Sequence, residues 1–392
     1  MRRVSLKETE PGTLLGHSIL DAKGNILLTG GTALTERYVR TLLERGTTAV
    51  TIQDEETADI EMPEVISDAL RAKATNTVYR VFEAIGGTAA QLKGLSPREI
   101  QGKLRGTEFR QAAGHLVPTA AVVSVVDDIM NEVLDTELLT GMAAIKSYDN
   151  YTFAHSVEMA TAALVLGRKL RLDRGSLKRL ARACLLHDIG KIFVDEAILN
   201  KQGKLTDEEF EVMKSHPTLG FELLQAAQPN DVLINHVAYQ HHERQDGKGY
   251  PRGLNGLNQV HRPPFGNEGR IILIAEIAAI ADVYDALATD RPYRPALAPE
   301  VVLDIMAKMG TSALNQELLD LFRSLVPSFP VGMAIRVTAG RWLGYTGVVA
   351  RVNKEKLDRP VVRILRGSGG AKIPSFDLDL SEDAATRIVS VL

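Results

Sequence analysis

Apolar residues fall at helical spacing through the middle of this chain and in short runs between polar turns toward its two ends. Val78, Val81, Phe82 and Ile85 form one helical stripe, and Val122, Val125, Val126, Ile129, Met130 and Val133 form a second. From 146 to 326 the pattern is almost wholly helical, until Val326-Pro327-Ser328-Phe329-Pro330 breaks it. Near the start, Leu14 to Leu20 and Ile26 to Thr29 flank Asp21-Ala22-Lys23-Gly24-Asn25, a composition that suits a hairpin turn. Gly30-Gly31 then leads to Thr35, a predicted helix N-cap, with the helix ending near Gly46 and a closing strand over Ala49 to Ile52. Past the break, 334–337, 346–352, 360–365 and 388–392 read as short strands. The predicted fold class is therefore mainly α. A small N-terminal α+β module (1–60) and a helical connecting segment (61–145) precede an all-helical region (146–326), and a small β module (331–392) follows.

Composition narrows the possibilities. At 392 residues, 45% hydrophobic and 24% charged, the chain has the make-up of a folded protein of several domains. A net charge of -3 argues against a nucleic-acid polymer as partner, which would call for a basic surface. The single cysteine, Cys184, excludes an internal disulfide and sits in the apolar run Ala183-Cys184-Leu185-Leu186, as a core residue would. Met1-Arg2-Arg3 leads into polar residues rather than a signal sequence. The most apolar run, Ile271 to Leu287, carries Glu276, Asp282 and Asp285, which are costly at bilayer depth. The expectation is a cytoplasmic protein without membrane insertion. The second stripe is expected to pack in the core, with homodimerisation through this helical segment as the alternative.

The chemistry concentrates in the helical region. His241-His242-Glu243-Arg244-Gln245-Asp246-Gly247-Lys248-Gly249-Tyr250-Pro251 holds two adjacent imidazoles, acids, bases and a Gly-Tyr-Pro turn, and His187-Asp188-Ile189-Gly190-Lys191 lies upstream. His155, His216 and Asp282 add donors. A lone histidine in an apolar helix is usually a satisfied core residue. A carboxylate such as Asp188 or Asp282 among apolar neighbours is expensive unless paired or metal-bound. Imidazole and carboxylate together suit borderline divalent metals such as iron, manganese or zinc, and point to a multinuclear hydrolase rather than a structural site, which would use cysteine. Asp285, one turn after Asp282, is expected to orient a ligand histidine, with an acid on the helix surface as the alternative.

These motifs, with Asp282-Val283-Tyr284-Asp285-Ala286-Leu287 and Arg291-Pro292-Tyr293-Arg294, resemble the HD-GYP branch of the HD superfamily of metal-dependent phosphohydrolases over 149–325. The resemblance implies a bacterial phosphodiesterase that hydrolyses cyclic di-GMP to pGpG and on to GMP. It implies two divalent metal ions, iron or manganese: one on His155, His187, Asp188 and Asp282, the other on His216, His241 and His242, with Asp188 bridging. A third metal in some members uses a glutamate at a position that is Tyr151 here, so two are expected. Lys191 takes the place of a residue that contacts the scissile phosphate. Tyr250, Arg291 and Arg294 match positions that hold the substrate phosphates. Gly247, Gly249 and Pro251 are expected to shape the loop. The motifs leave open another cyclic dinucleotide, such as cyclic GMP-AMP, or a low-turnover sensor or protein-interaction module. No role is assigned to His17, His115, His236 or His261.

Overall fold

The computed structural model describes residues 1–134, 136–139, 151–262, 268–289 and 296–391. The N-terminal strands are β1 (Arg2–Ser5), β2 (Leu14–Leu15), β3 (Ile19–Leu20), β4 (Ile26–Leu28) and β5 (Ala49–Gln53). β5 lies between β1 and β2, antiparallel to both, while β3 and β4 pair as a hairpin whose turn Asp21 closes by accepting from the Lys23 and Asn25 amides. Helix α1 (Glu36–Glu44) starts where the Thr35 hydroxyl accepts from the Tyr38 amide, satisfying a donor that the first turn leaves open. Leu6, Leu15, Leu34, Leu42 and Val50 form this module's own core. β1 carries one apolar residue in four, which is why its sequence gives no strand signal.

The helical body begins with α2 (Asp68–Gln91), α3 (Pro97–Arg105), α4 (Thr107–Ala112) and α5 (Thr119–Val133). It continues through α6 (Tyr151–Lys169), α7 (Arg174–Leu186), α8 (Glu196–Leu199), α9 (Asp207–Met213), α10 (His216–Ala227) and α11 (Val232–Gln240). Helices α12 (Leu273–Ala288), α13 (Pro299–Ala313) and α14 (Gln316–Arg323) complete it. One continuous hydrophobic cluster runs from Val65 to Val326, so the connecting helices and the helices beyond 151 share a core. The α5 stripe from Val122 to Val133 is buried within the chain itself, against α2, α6 and α7. Helix α12 lies in the centre of the body, and Glu276, Asp282 and Asp285 are buried with it. No single helix among the described residues is long and apolar enough to cross a membrane.

The C-terminal module is a five-stranded antiparallel sheet in the order β10-β6-β7-β8-β9, built from β6 (Ala334–Ala339), β7 (Thr346–Arg351), β8 (Val361–Arg366), β9 (Lys372–Asp379) and β10 (Arg387–Ser390). Strand β9 is an addition to the expected set. It is an edge strand with Pro374 inside it and no buried position, so its sequence lacks the apolar run of a buried strand. The two terminal modules meet. Arg363 reaches Asp59 and Asp377, Arg366 and Lys372 reach Glu56, and Ile60 packs with Val348 and Leu365.

Candidate metal centre

Each donor sits at a helix end or on a helix face turned to one point. His155 lies on α6, and His187 caps the C-terminus of α7 with Asp188 directly after it. His216 opens α10, His241 and His242 follow α11, and Asp282 lies on α12. The turn after Asp188 fits against α10 only because position 190 has no side chain. A Cβ on Gly190 would lie 2.0 Å from the His216 carbonyl oxygen and 2.5 Å from the Gly220 nitrogen. That approach brings Asp188 Oδ1 to 3.3 Å from His216 Nε2 and 3.8 Å from His241 Nε2.

The donors fall into two adjoining groups able to hold a metal ion: Asp188, His216, His241 and His242 in one, His155, His187 and Asp282 in the other. Backbone carbonyls fix the imidazoles. His187 Nδ1 donates to the Cys184 carbonyl (2.7 Å), His216 Nδ1 to Met213 (2.7 Å) and His241 Nδ1 to Ala238 (3.0 Å). His155 Nδ1 donates instead to the buried Asp285 carboxylate at 2.7 Å. With the Nδ1 protons held there, the Nε2 atoms face inward: those of His216 and His241 as bare lone pairs, and that of His155 toward Asp282 Oδ1 at 3.1 Å.

Several contacts are unfavourable unless a cation is present. His216 Nε2 and His241 Nε2 face each other at 3.4 Å, and both rings carry their proton on the opposite nitrogen. His187 Nε2 and Asp188 Oδ1 are buried with no hydrogen-bond partner. Burial pushes His216 down to about 3, and burial with the neighbouring His187 pushes His241 down to about 4. Burial, then His241 and His216, hold His242 well below the usual imidazole range. These rings are neutral at pH 7, so the approach of His216 to Asp188 is not an ion pair. Burial opposes ionisation of Asp188 and Asp282, but His187 and Lys191 outweigh it at Asp188 and His155 outweighs it at Asp282, leaving both carboxyls depressed. Burial likewise lowers His155, and its hydrogen bonds to Asp282 and Asp285 reverse that and raise it. The neutral His216, His241 and His242 rings beside ionised carboxylates, with orphaned atoms pointing inward, fit the donor chemistry of a divalent metal site.

Around this centre, Lys191 Nζ pairs with Asp188 Oδ2. The Tyr250 ring lies 4.7 Å from that of His242, and its amide donates to the His242 carbonyl. Burial, then Asp282 and Asp188, pushes the Tyr250 phenol above its ordinary value. Gly247 has a left-handed φ of 74°. Gly249 is needed for another reason, since its Cβ would lie 2.4 Å from the Arg244 nitrogen. Arg291 and Arg294 lie outside the described residues, as does the Tyr151 side chain.

Behind the loop is a polar network that the motifs do not announce. The Glu243 carboxylate accepts from the Arg252 and Leu254 amides, Gln240 Oε1 from the Ile272 amide, and Gln245 Oε1 from the Asn258 amide. Glu276 accepts from Gln245 (2.8 Å), Asn315 (2.7 Å) and Arg262. The signal was present, because Glu276 is a carboxylate in the most apolar helix, but in sequence it counts only as a barrier to membrane insertion. His236 packs on Phe221 and Tyr239, and His115 and His261 belong to neither donor group. His17 faces Glu64 at 3.3 Å beside Asp68, where the buried Arg71 already supplies positive charge to Glu64, Asp68 and Glu158.

Residues 133–318 match the family described as the HD domain. The cyclic di-GMP phosphodiesterase PA4108 of Pseudomonas aeruginosa is 34% identical over 285 residues, 72% of this chain and 65% of that protein. RpfG of Xanthomonas campestris pv. campestris, a cyclic di-GMP phosphodiesterase response regulator, is 39% identical over 178 residues, 44% of each. The 3'3'-cGAMP-specific phosphodiesterase 3 of Vibrio cholerae is 32% identical over 235 residues, 60% of this chain and 47% of that protein. The chain thus spans 44–65% of the length of these relatives. The match shows an HD domain over residues 133–318, and the Gly249-Tyr250-Pro251 turn lies inside it.

Proposed function

We propose that this chain is a metal-dependent phosphodiesterase that opens cyclic di-GMP to pGpG and carries it on to GMP. The observation that supports it most is Asp188, an ionised carboxylate with one orphaned oxygen between two groups of inward-facing imidazole nitrogens. His155, His187, Asp188 and Asp282 would hold one ion, and His216, His241 and His242 the other with Asp188 shared. The mixed nitrogen and oxygen donors favour iron or manganese. Divalent metal there supplies charge against the phosphoryl oxygens and a nucleophile at neutral pH.

The remaining work falls to the chain. Asp188 and Asp285 fix the donor geometry. Lys191 presents an ammonium beside Asp188, from which it donates a proton to the departing ribose oxygen. Tyr250, together with Arg291 and Arg294, holds the phosphate that is not cleaved, where guanidinium offers a planar fork. A second reading, hydrolysis of 3'3'-cGAMP, draws on the similarity to the Vibrio cholerae enzyme. Metal-loaded protein incubated with each dinucleotide and resolved by chromatography tests both, with pGpG and GMP expected from cyclic di-GMP. Faster turnover of 3'3'-cGAMP reverses the order of the two readings. No product from either leaves a metal-bound sensor or interaction module.

A further inference from the structure

A line of rings leads outward from the metal centre. The His242 ring stands 4.7 Å from the Tyr250 ring, which stands 6.3 Å from Phe210 at an interplanar angle of 82°. Tyr250 is partly buried, whereas Phe210 is 45% exposed. Single exposed apolar residues are ordinary, and exposure alone says little. Phe210 differs in its support. It sits on α9, whose first turn is locked by the reciprocal Thr206–Glu209 cap, with Lys201 paired to Glu209. Lys214, itself paired with Glu211, lies over the Phe210 ring at 5.3 Å. A rigid aromatic therefore stands at the rim, two ring steps from a metal-binding imidazole.

The geometry points to Phe210 as the stacking platform for a nucleobase of the substrate, a specificity-determining contact for the reaction proposed above, on which this inference rests. With the scissile phosphate at the metal donors and the uncleaved phosphate held at Tyr250, the base on the ribose that joins them extends outward toward Phe210. An aromatic face accepts any nucleobase, because every base has a π-face. The contact thus selects nucleotide diesters over small diesters without distinguishing guanine from adenine. The neighbouring Lys214 ammonium adds positive charge on the side from which an anionic dinucleotide arrives.

The test measures kcat and KM for cyclic di-GMP and for methyl p-nitrophenyl phosphate, a diester with no nucleobase, in wild-type protein and the Phe210→Ala, Phe210→Leu and Phe210→Trp variants, with metal content determined for each. Loss of one stacked base corresponds to a rise in KM of about 5- to 150-fold. Phe210→Ala should raise KM for cyclic di-GMP by that factor and lower the ratio of kcat/KM between the two substrates equally. Phe210→Trp should restore the ratio, and Phe210→Leu, which keeps apolar bulk but has no ring face, should not. An unmoved KM in Phe210→Ala, rescue by leucine equal to that by tryptophan, or an equal loss on both substrates overturns the inference and leaves the proposed activity standing. Absence of wild-type turnover on cyclic di-GMP removes both together.

Discussion

Asp285 and Lys191 each touch one candidate metal donor, and the two contacts have opposite consequences. Asp285 sits behind His155, holding its Nδ1 proton at 2.7 Å, so it sets which nitrogen faces the site. Asp285→Asn keeps the shape and removes the charge, and should weaken metal binding about 10–100-fold in a chelator competition. Lys191 lies on the open side of Asp188 and supports no imidazole. Lys191→Ala should keep its metal by elemental analysis yet lose roughly 10²–10⁴-fold in kcat. Near wild-type turnover in a metal-replete variant would return Lys191 to a solvated helix-end residue. The seven candidate donors were legible in sequence because histidine and aspartate stand out in apolar helices, and the fold gathers them into two adjoining groups. The orienting role expected for Asp285 rested on its one-turn spacing from Asp282; which histidine it serves was hidden, because residues 155 and 285 come together only in the packed body.

At the scale of elements, the centre depends on where helices stop. The turn after α7 must come within van der Waals reach of α10, and Gly190 permits it. Gly190→Ala would force the turn and α10 apart, costing ~1–3 kcal/mol as overpacking does. It should lower the denaturant midpoint without changing the slope, and should reduce metal retention because His216 moves with α10. Unchanged midpoint and metal content would show that the turn has room to spare. Helix positions were readable from apolar spacing, and the N-terminal hairpin from its turn residues. Strands β1 and β9 were hidden because edge pairing needs few apolar residues. The Glu243, Gln245 and Glu276 network was hidden for another reason: a buried carboxylate and a surface one are the same letter until the partners are known.

At the scale of the whole molecule, sequence pattern separated the two end modules by the length of the helical body, whereas the fold joins them. Nothing in either segment marks the other as its partner, since charge pairs such as Asp59 with Arg363 are ordinary surface residues when read singly. Arg71 is a second long-range tie, linking Glu64 to Glu158 on α6, three positions beyond His155. Such ties explain why domain limits drawn from composition say little about which segments share a core.

The seam between the end modules also orders events in time. Asp59 and Arg363 are 304 residues apart, and Glu56 and Arg366 are 310 apart. Contacts of such long sequence separation form late, because a ribosome adding ~5–20 residues per second delivers the first partner well before the second. The nascent N-terminal strands must therefore stand on their own small core while the helical body is being made. Ile60 waits uncovered until β7 and β8 arrive to close over it.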